Sequence, residues 1–145
     1  MKWQKWLRWG LLSLVGLLVV IQLIPYGRAH SNPPVIEEPP WGSAATRELA
    51  VRACFDCHSN ETVWRWYANI APISWLVTRD VDDGRERLNF SQWGSDRQET
   101  RDLDRAVTGG GMPPVYYAWV HASARLSDTE KQQLVQGLRA TMTGG

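Results

Sequence analysis

Cys54, Cys57 and His58 constrain this chain more than any other feature of its sequence. They stand in the run Cys54-Phe55-Asp56-Cys57-His58, and the chain has no other cysteine. A disulfide between residues three positions apart closes almost no loop and would stabilise the fold little. On a helix, two thiols one turn apart project from the same side, and the following residue lies beside them. The run therefore indicates a chemical site and not a structural crosslink.

The spacing of these residues is that of the haem c attachment motif, C-x-x-C-H. The two thiols can reach the two vinyl groups on one edge of a porphyrin and form thioethers, and the imidazole can then bind the iron. We therefore predict one haem c, covalently bound by Cys54 and Cys57, with His58 as the proximal iron ligand.

Three other uses of the cysteines stay open. A thioredoxin-like C-x-x-C motif requires a βαβ context, which this sequence does not predict. A zinc site requires four ligands, and the only other histidines are the distant His30 and His121. A structural disulfide outside the cytoplasm is the third possibility.

An electron-transfer haem requires a sixth ligand, and Met112 is the leading candidate. It lies in Gly109-Gly110-Gly111-Met112-Pro113-Pro114, where glycines allow close backbone approach and prolines stiffen the chain that follows. It comes 54 residues after His58, which is enough chain to cross a haem and return on its other face. His121 is the alternative ligand, and ordinary packing is the other interpretation of Met112. We expect Met142 to lie in the core.

The N-terminal segment favours a membrane anchor. No charged residue occurs from Trp9 to Tyr26, and eighteen helical residues span roughly 27 Å, about the hydrocarbon thickness of a bilayer. Trp3, Trp6 and Trp9 fall on one helical face, as an aromatic belt would. A cleaved signal peptide is the alternative, with Ala29-His30-Ser31 as a poor cleavage site.

The basic residues of this segment precede the apolar run, so the positive-inside rule predicts a cytoplasmic N-terminus. We therefore expect a single-pass protein of the inner (cytoplasmic) membrane with its haem domain in the periplasm or an equivalent space. The predicted division is an anchor at residues 1–27, a Pro-rich linker at 28–42 and a haem c domain at 43–145. Prolines favour an extended polyproline II linker.

Charge in the domain gives no reason to expect nucleic acid as a partner. From Trp41 onward the chain has 12 basic and 13 acidic side chains, and no basic face is predicted. Arg79 and Arg85 are expected to stay solvated, with a haem propionate as the alternative partner of either. The aromatic residues of the domain are expected to wall the haem pocket or to form an ordinary aromatic core. These are Trp64, Trp66, Trp75, Trp93, Trp119, Tyr67, Tyr116 and Tyr117.

No stretch alternates with a period of two, so the fold class predicted is all-α, cytochrome c-like, on a single transmembrane helix. Helices are expected to begin at Ser43 or Thr46, at residue 73 after Pro72, at Ser95 or Asp96, and after Ser127. The second runs to about Arg87, and the third to about Val107. Ser127 and Glu130 form a capping box, and the face behind it carries Leu134, Val135, Leu138 and Met142.

The chain resembles the bacterial haem-binding-domain family, whose members are small proteins with one C-x-x-C-H motif and an N-terminal membrane segment. The resemblance covers nearly the whole length. Its residues are Ile21–Pro25 with Asn32–Pro34, Cys54–Asn60 with Thr62, Trp64, Trp66 and Tyr67, Ile70–Pro72 with Ser74 and Trp75, Asp80, Val81, Gly84, Arg85, Leu88–Ser91 with Trp93, Met112–Pro114, Tyr117, His121, Ala124, Leu126 and Ser127. Arg65 departs from the pattern, which has proline between the tryptophans. The resemblance implies haem binding and electron transfer, with the ligand order of class I cytochromes c.

The sequence thus predicts a one-electron carrier and not an enzyme, in which His/Met ligation holds the potential relatively high. Redox partner proteins are expected, and a place as a fixed subunit of a respiratory or photosynthetic membrane complex is compatible with that role. The alternative is a peroxidase-like haem enzyme or sensor with an open distal site. In that case Met112 does not bind the iron, and His121 acts as a distal base.

Overall fold

Helices make up the regular structure of the part of the chain that is described. A computed structural model describes residues 2–94 and 102–143 of the protein, and these residues contain no strand. The all-α prediction is therefore confirmed. The α-helices are α1 (Lys2–Ile21), α2 (Ala44–Ala53), α3 (Phe55–His58), α4 (Ile73–Arg87), α5 (Leu103–Thr108), α6 (Val115–Val120) and α7 (Asp128–Thr143). Short 3₁₀ helices occupy Trp66–Asn69 and Ala122–Ala124.

Helix α1 is long and apolar enough to cross a membrane, as its sequence predicts. Its 20 residues extend about 30 Å, which matches the hydrocarbon core of a bilayer. None of its residues is buried, and Trp3, Trp6 and Trp9 are all exposed. An apolar helix without protein cover is what a lipid-facing segment requires.

The chain divides into two compact units. The first contains the residues up to His30 together with Trp64–Asp80, and the second contains Ser31–Val63 and the described residues from Val81 onward. Helix α4 contributes residues to both.

In the first unit, the chain that leaves α1 is fixed to the residues that precede and begin α4. The Gln22 amide pairs with the backbone of Ala71 in both directions, donating to its carbonyl (2.8 Å) and accepting from its N–H (3.0 Å). Gly27 has a φ of +78° and lies so close to Ser74 that an added Cβ would stand 2.5 Å from the Ser74 carbonyl oxygen. Only glycine meets both requirements without strain.

His30 adds a further attachment within the same unit. Its ring stacks on Trp64 with 4.3 Å between ring centroids and an interplanar angle of 2°. Its Nε2 lies 3.1 Å from the carbonyl oxygen of Ala68. The junction after α1 is therefore a packed segment of the first unit.

The second unit has one hydrophobic core, in which α7 packs against α2 and α5. Gly137 of α7 allows the closest approach, because any Cβ there would collide with the side chain of Thr46 on α2. The buried apolar residues of this core are Leu49, Ala50, Ala53, Phe55, Leu88, Phe90, Val107, Leu126, Leu134, Val135 and Leu138.

Local capping signals set the ends of these helices. Ser43 is the N-cap of α2, since its hydroxyl accepts from the Thr46 N–H (3.1 Å). The capping box before α7 is confirmed: Ser127 accepts from the Glu130 N–H (3.2 Å), and the Glu130 carboxylate accepts from the Ser127 N–H (2.8 Å). Helix α4 has the bounds predicted for it.

The third predicted helix is described only in its later part. Its expected start at Ser95 or Asp96 lies outside the described residues. The described helix α5 ends at Thr108, directly before the three glycines.

Residues 31–41, which the sequence assigns to a linker, contain no helix and are hydrogen-bonded to later parts of the second unit, and we call them the strap. The Ile36 N–H donates to the carbonyl of Ser91 (2.8 Å), and the Asn60 amide donates to the carbonyl of Pro34 (2.9 Å). The Trp93 N–H donates to the carbonyl of Glu37 (3.0 Å). Polar groups of the strap therefore find their partners in protein.

Arg85 holds the start of the strap. Its guanidinium donates to the carbonyls of Ser59 (2.8 Å) and Ser31 (3.0 Å), to the side-chain oxygen of Asn32 (3.0 Å) and to the hydroxyl of Thr62 (2.9 Å). The expectation that Arg85 stays solvated is therefore wrong, because four acceptors within the second unit converge on it.

Candidate haem site

The C-x-x-C-H motif occupies the break between α2 and α3. Cys54 ends α2 and begins α3, with φ −126° and ψ −35°. The N–H of Cys57 (3.1 Å) and the N–H of His58 (2.8 Å) both donate to the Cys54 carbonyl and close one helical turn. Cys57 and His58 lie in this turn and Cys54 caps it, so the three residues of the motif are brought together. No disulfide joins the two cysteines.

Phe55 fixes the rotation of this turn. It is buried and stacks on Phe90 with 5.6 Å between ring centroids, and Trp41 packs against both rings. Phe55 is thus the motif residue that enters the core. Cys54, Cys57 and His58 are only partly buried.

The hydrogen bonds of His58 determine which ring nitrogen carries the proton. Its Nδ1 lies 3.0 Å from the carbonyl oxygen of Gly84 and 3.0 Å from that of Leu88. A carbonyl oxygen only accepts, so Nδ1 must be the protonated nitrogen of the neutral ring. Nε2 then carries the lone pair that a metal would bind.

Electrostatics favour this neutral imidazole. Burial lowers the pKa of His58 from its ordinary value, and the positive charge of Arg87 lowers it further. The hydrogen bonds to Leu88 and Gly84 oppose that change without reversing it. At pH 7 the ring is therefore neutral and able to act as a ligand.

The thiol of Cys54 is unlike that of a redox-active pair. Burial raises its pKa to about 12, and the neighbouring Cys57 adds to the rise. A thioredoxin-like site requires a thiol whose pKa is lowered, so the electrostatics here are opposite in sign.

Helix α4 approaches the motif through Gly84. A Cβ on Gly84 would collide with the carbonyl oxygen of Cys57, a backbone atom that cannot swing aside. The same residue supplies one of the two carbonyls that accept from His58. The sequence contains Gly84-Arg85, but no local pattern signals that its backbone touches the motif.

Met112 lies in the loop between α5 and α6. Its N–H donates to the carbonyl of Ala106 (2.8 Å), which fixes its backbone to the end of α5. The residue is 37% exposed and is joined to Pro113 by a cis peptide bond. Its thioether is thus not sealed in the protein core.

Tyr117 and Asp56 connect α6 to the motif, and no pattern in the sequence pairs them. The Tyr117 hydroxyl donates to one carboxylate oxygen of Asp56 (2.7 Å), and the other accepts from the N–H of Val63 (3.0 Å). Asp56 is a residue between the two cysteines. The structure therefore brings the helix that follows Met112 into direct contact with the motif.

His121, the alternative ligand, is buried at the end of α6. Its ring stacks on Tyr117 with 4.0 Å between centroids, and its Nδ1 lies 3.0 Å from the Tyr117 carbonyl oxygen. Cys54, Cys57, His58, Met112 and His121 all belong to the second unit. Of the aromatic residues expected around a haem, Trp64, Trp66, Tyr67 and Trp75 belong instead to the first unit.

The second unit offers ligand atoms and apolar surface that suit a haem. Helix α6 consists of apolar and aromatic residues, yet it buries none of them. Val115, Trp119 and Val120 are exposed, which fits a segment covered by an apolar group that is not part of the chain. Within residues 2–94 and 102–143, no cluster of three or more His, Cys, Asp or Glu side chains could hold a metal ion by itself.

A single methyl group on Gly84 tests this arrangement. We expect Gly84→Ala to lower the free energy of unfolding of the holoprotein by about 1–3 kcal/mol, because the added carbon forces α4 away from the Cys57 carbonyl. Haem content per polypeptide should fall as well. Denaturant unfolding and the ratio of haem to protein absorbance measure both effects.

Gly42→Ala is the matched control, since its Cβ would meet only the Cβ of Ala140 at an ordinary 3.8 Å. We expect this variant to stay within about 0.5 kcal/mol of the parent protein. An alanine that is equally harmless at both positions would contradict the close approach at Gly84.

Comparison with known proteins identifies a haem-binding domain in this chain. A family described as "Haem-binding domain" matches residues 16–140, which is most of the chain and includes the motif and Met112. No curated protein and no solved structure matches the chain. The match extends from within α1 to within α7. The chain belongs to the haem-binding-domain family.

Proposed function

We propose that this chain is a monohaem c-type cytochrome that carries single electrons at the outer face of the cytoplasmic membrane, and that it is not an enzyme. One haem would be attached through Cys54 and Cys57, with His58 and Met112 as its axial ligands. The observation that carries the proposal is the hydrogen bonding of His58, whose Nδ1–H is held by two backbone carbonyls.

A histidine that binds a metal almost always donates its other N–H to a backbone carbonyl or a carboxylate. Such a bond fixes the tautomer, orients the ring and makes the ligating nitrogen more basic. The carbonyls of Gly84 and Leu88 do this for His58, because both lie 3.0 Å from Nδ1. The ring is therefore prepared for an axial bond through Nε2.

Covalent attachment is supported by the position of the thiols. Cys54 and Cys57 belong with His58 to the single turn whose backbone N–H groups donate to the Cys54 carbonyl. Neither thiol is engaged in a disulfide, and the pKa of Cys54 is raised, which argues against a redox role for the pair. When bound, the haem supplies an iron that alternates between Fe(III) and Fe(II).

Met112 would supply the soft, neutral ligand that holds a haem at relatively high potential. Its backbone is anchored to Ala106, while its side chain remains partly exposed. The contact from Tyr117 to Asp56 ties the helix after Met112 to the motif. This hydrogen bond supports the proposal that the loop carrying Met112 lies beside a haem bound by the motif.

A haem enzyme or sensor with an open distal site is the second candidate. It is favoured by His121, which is buried and whose Nδ1 is hydrogen-bonded to a carbonyl, as in His58. In that case Met112 stays off the iron and His121 acts on a distal ligand. Whether Met112 binds the iron therefore distinguishes the two functions.

The proposed location follows from α1. Its length and apolarity suit a single membrane span, and the basic residues before the span predict a cytoplasmic N-terminus. Retention of the helix is part of this proposal. It is supported by Gln22 and Gly27, because removal of the segment would abolish their contacts with Ala71 and Ser74 in the first unit. Electrons would pass to and from redox partner proteins, with a fixed place in a respiratory or photosynthetic complex compatible with this role.

Covalent attachment predicts that acid-acetone extraction leaves the haem on the polypeptide. Cys54→Ala and Cys57→Ala should each retain one thioether, so the reduced pyridine adduct should absorb at a longer wavelength than that of the parent protein. The double variant should release any haem it binds. Haem that extracts freely from the parent protein would refute the assignment.

Ligation by Met112 predicts a weak near-infrared band in the oxidised protein and resistance of the reduced protein to carbon monoxide. Met112→Ala should lose the band and take up carbon monoxide readily, since the distal position opens. Met112→His should stay low-spin while its midpoint potential falls by a substantial part of the roughly 0.8 V over which axial ligands tune haem.

Met142→Leu is the control for these spectra, because it changes a methionine of α7 while leaving Met112 in place. We expect it to keep both the band and the resistance to carbon monoxide. If the parent protein lacks the band and binds carbon monoxide as fast as Met112→Ala, Met112 is not a ligand. The enzyme or sensor function would then be favoured, with His121→Ala as the next variant.

Retention of α1 predicts that the native protein stays in the membrane after an alkaline wash. Mass spectrometry of the purified chain should find residues 9–26 still attached. A mature N-terminus near Asn32 would show that the segment is a cleaved signal peptide.

A further inference from the structure

We infer that residues 66–76 form a second membrane contact, in which Trp66, Ile70, Ile73 and Leu76 insert into the lipid headgroup region where α1 leaves the bilayer. The inference concerns the first unit alone. It rests on the proposed membrane span of α1 and is independent of the haem and its ligands.

The segment has the composition of an interfacial element. No charged side chain occurs between Arg65 and Arg79, so the intervening residues carry only apolar, aromatic and uncharged polar groups. Trp66 is 75% exposed, and Ile70, Ile73 and Leu76 are exposed as well. Tryptophan is enriched at the interface between lipid and water because its ring is apolar and its N–H is polar.

The depth of this segment is set by its attachment to the end of α1. Gln22 is the first residue after the helix, and both of its hydrogen bonds to Ala71 hold the segment at the level where the helix ends. The close approach of Gly27 to Ser74 holds the next part of the chain there too. If α1 spans the hydrocarbon core, Ala71 lies at the surface of that core.

The bilayer is favoured over a protein partner by the distribution of tryptophan along α1. The helix has Trp3, Trp6 and Trp9 near its N-terminal end and no tryptophan in its C-terminal half. Membrane helices usually have aromatic residues at both interfaces. At the far end, Tyr26 follows the helix and is 51% exposed, and Trp66 adds the tryptophan that the C-terminal half of the helix lacks.

Photo-crosslinking of the full-length holoprotein tests the inference. The photoreactive residue p-benzoylphenylalanine is placed at position 66 or, in a second variant, at position 73. Each protein is reconstituted into vesicles of phosphatidylethanolamine and phosphatidylglycerol and irradiated. We expect mass spectrometry to find peptides that carry one phospholipid in both variants.

Two control positions make the result decisive. The same residue at Leu17, inside α1, must give lipid adducts if the helix spans the bilayer. At Ile36, which is 72% exposed and belongs to the second unit, the yield of lipid adduct should be several-fold lower than at Trp66.

Lipid adducts at Leu17 but not at positions 66 and 73 would overturn this inference and leave the membrane span intact. No adduct at any position, Leu17 included, would overturn both. Equal yields at Ile36 and Trp66 would show that exposure alone determines capture, which also overturns the inference. So would crosslinks from position 66 to a second copy or to another protein in native membranes.

Discussion

The Nδ1–H of His58 and its two backbone acceptors are the interaction on which the candidate site depends. The Gly84 carbonyl lies inside α4 and the Leu88 carbonyl just after it, so one proton fixes the motif to the end of that helix. The approach is possible only because Gly84 lacks a Cβ where α4 meets the Cys57 carbonyl. The orientation of the His58 ring and the packing of α4 against the motif therefore depend on each other, and a change in one alters the other.

Features of the fold that depend on neighbouring residues could be predicted from the sequence. The bounds of α4 and the capping box of α7 follow from proline, serine and glutamate at fixed offsets, and both are confirmed. The apolar periodicity of α7 predicted that Leu134, Val135, Leu138 and Met142 lie in the core. The first three are buried, whereas Met142, in the last turn of the helix, is only partly buried. Local side-chain chemistry is sufficient to specify such elements.

Contacts between residues distant in sequence could not be predicted in this way. Asp56 accepts from Tyr117 across 61 positions, and Arg85 reaches Ser31 across 54. Neither pair carries a periodic pattern or a spacing rule, because tertiary packing alone brings its members together. For the same reason the sequence identified Cys54, Cys57 and His58 as one motif, whereas the roles of Met112 and His121 stay predictions.

The hydrogen bonds of the strap can form only after later parts of the chain have been synthesised. Ile36 pairs with Ser91, 55 positions later, and Pro34 pairs with Asn60. In a chain that emerges from its N-terminus, the backbone N–H of Ile36 has no partner until residue 91 has followed it. His58 likewise lacks both of its acceptors until residues 84–88 arrive. Closing such long loops costs entropy before any contact compensates for it. The motif therefore passes through a stage in which it is open on the side that α4 later covers, and at this stage a haem would meet the least steric obstruction at the motif.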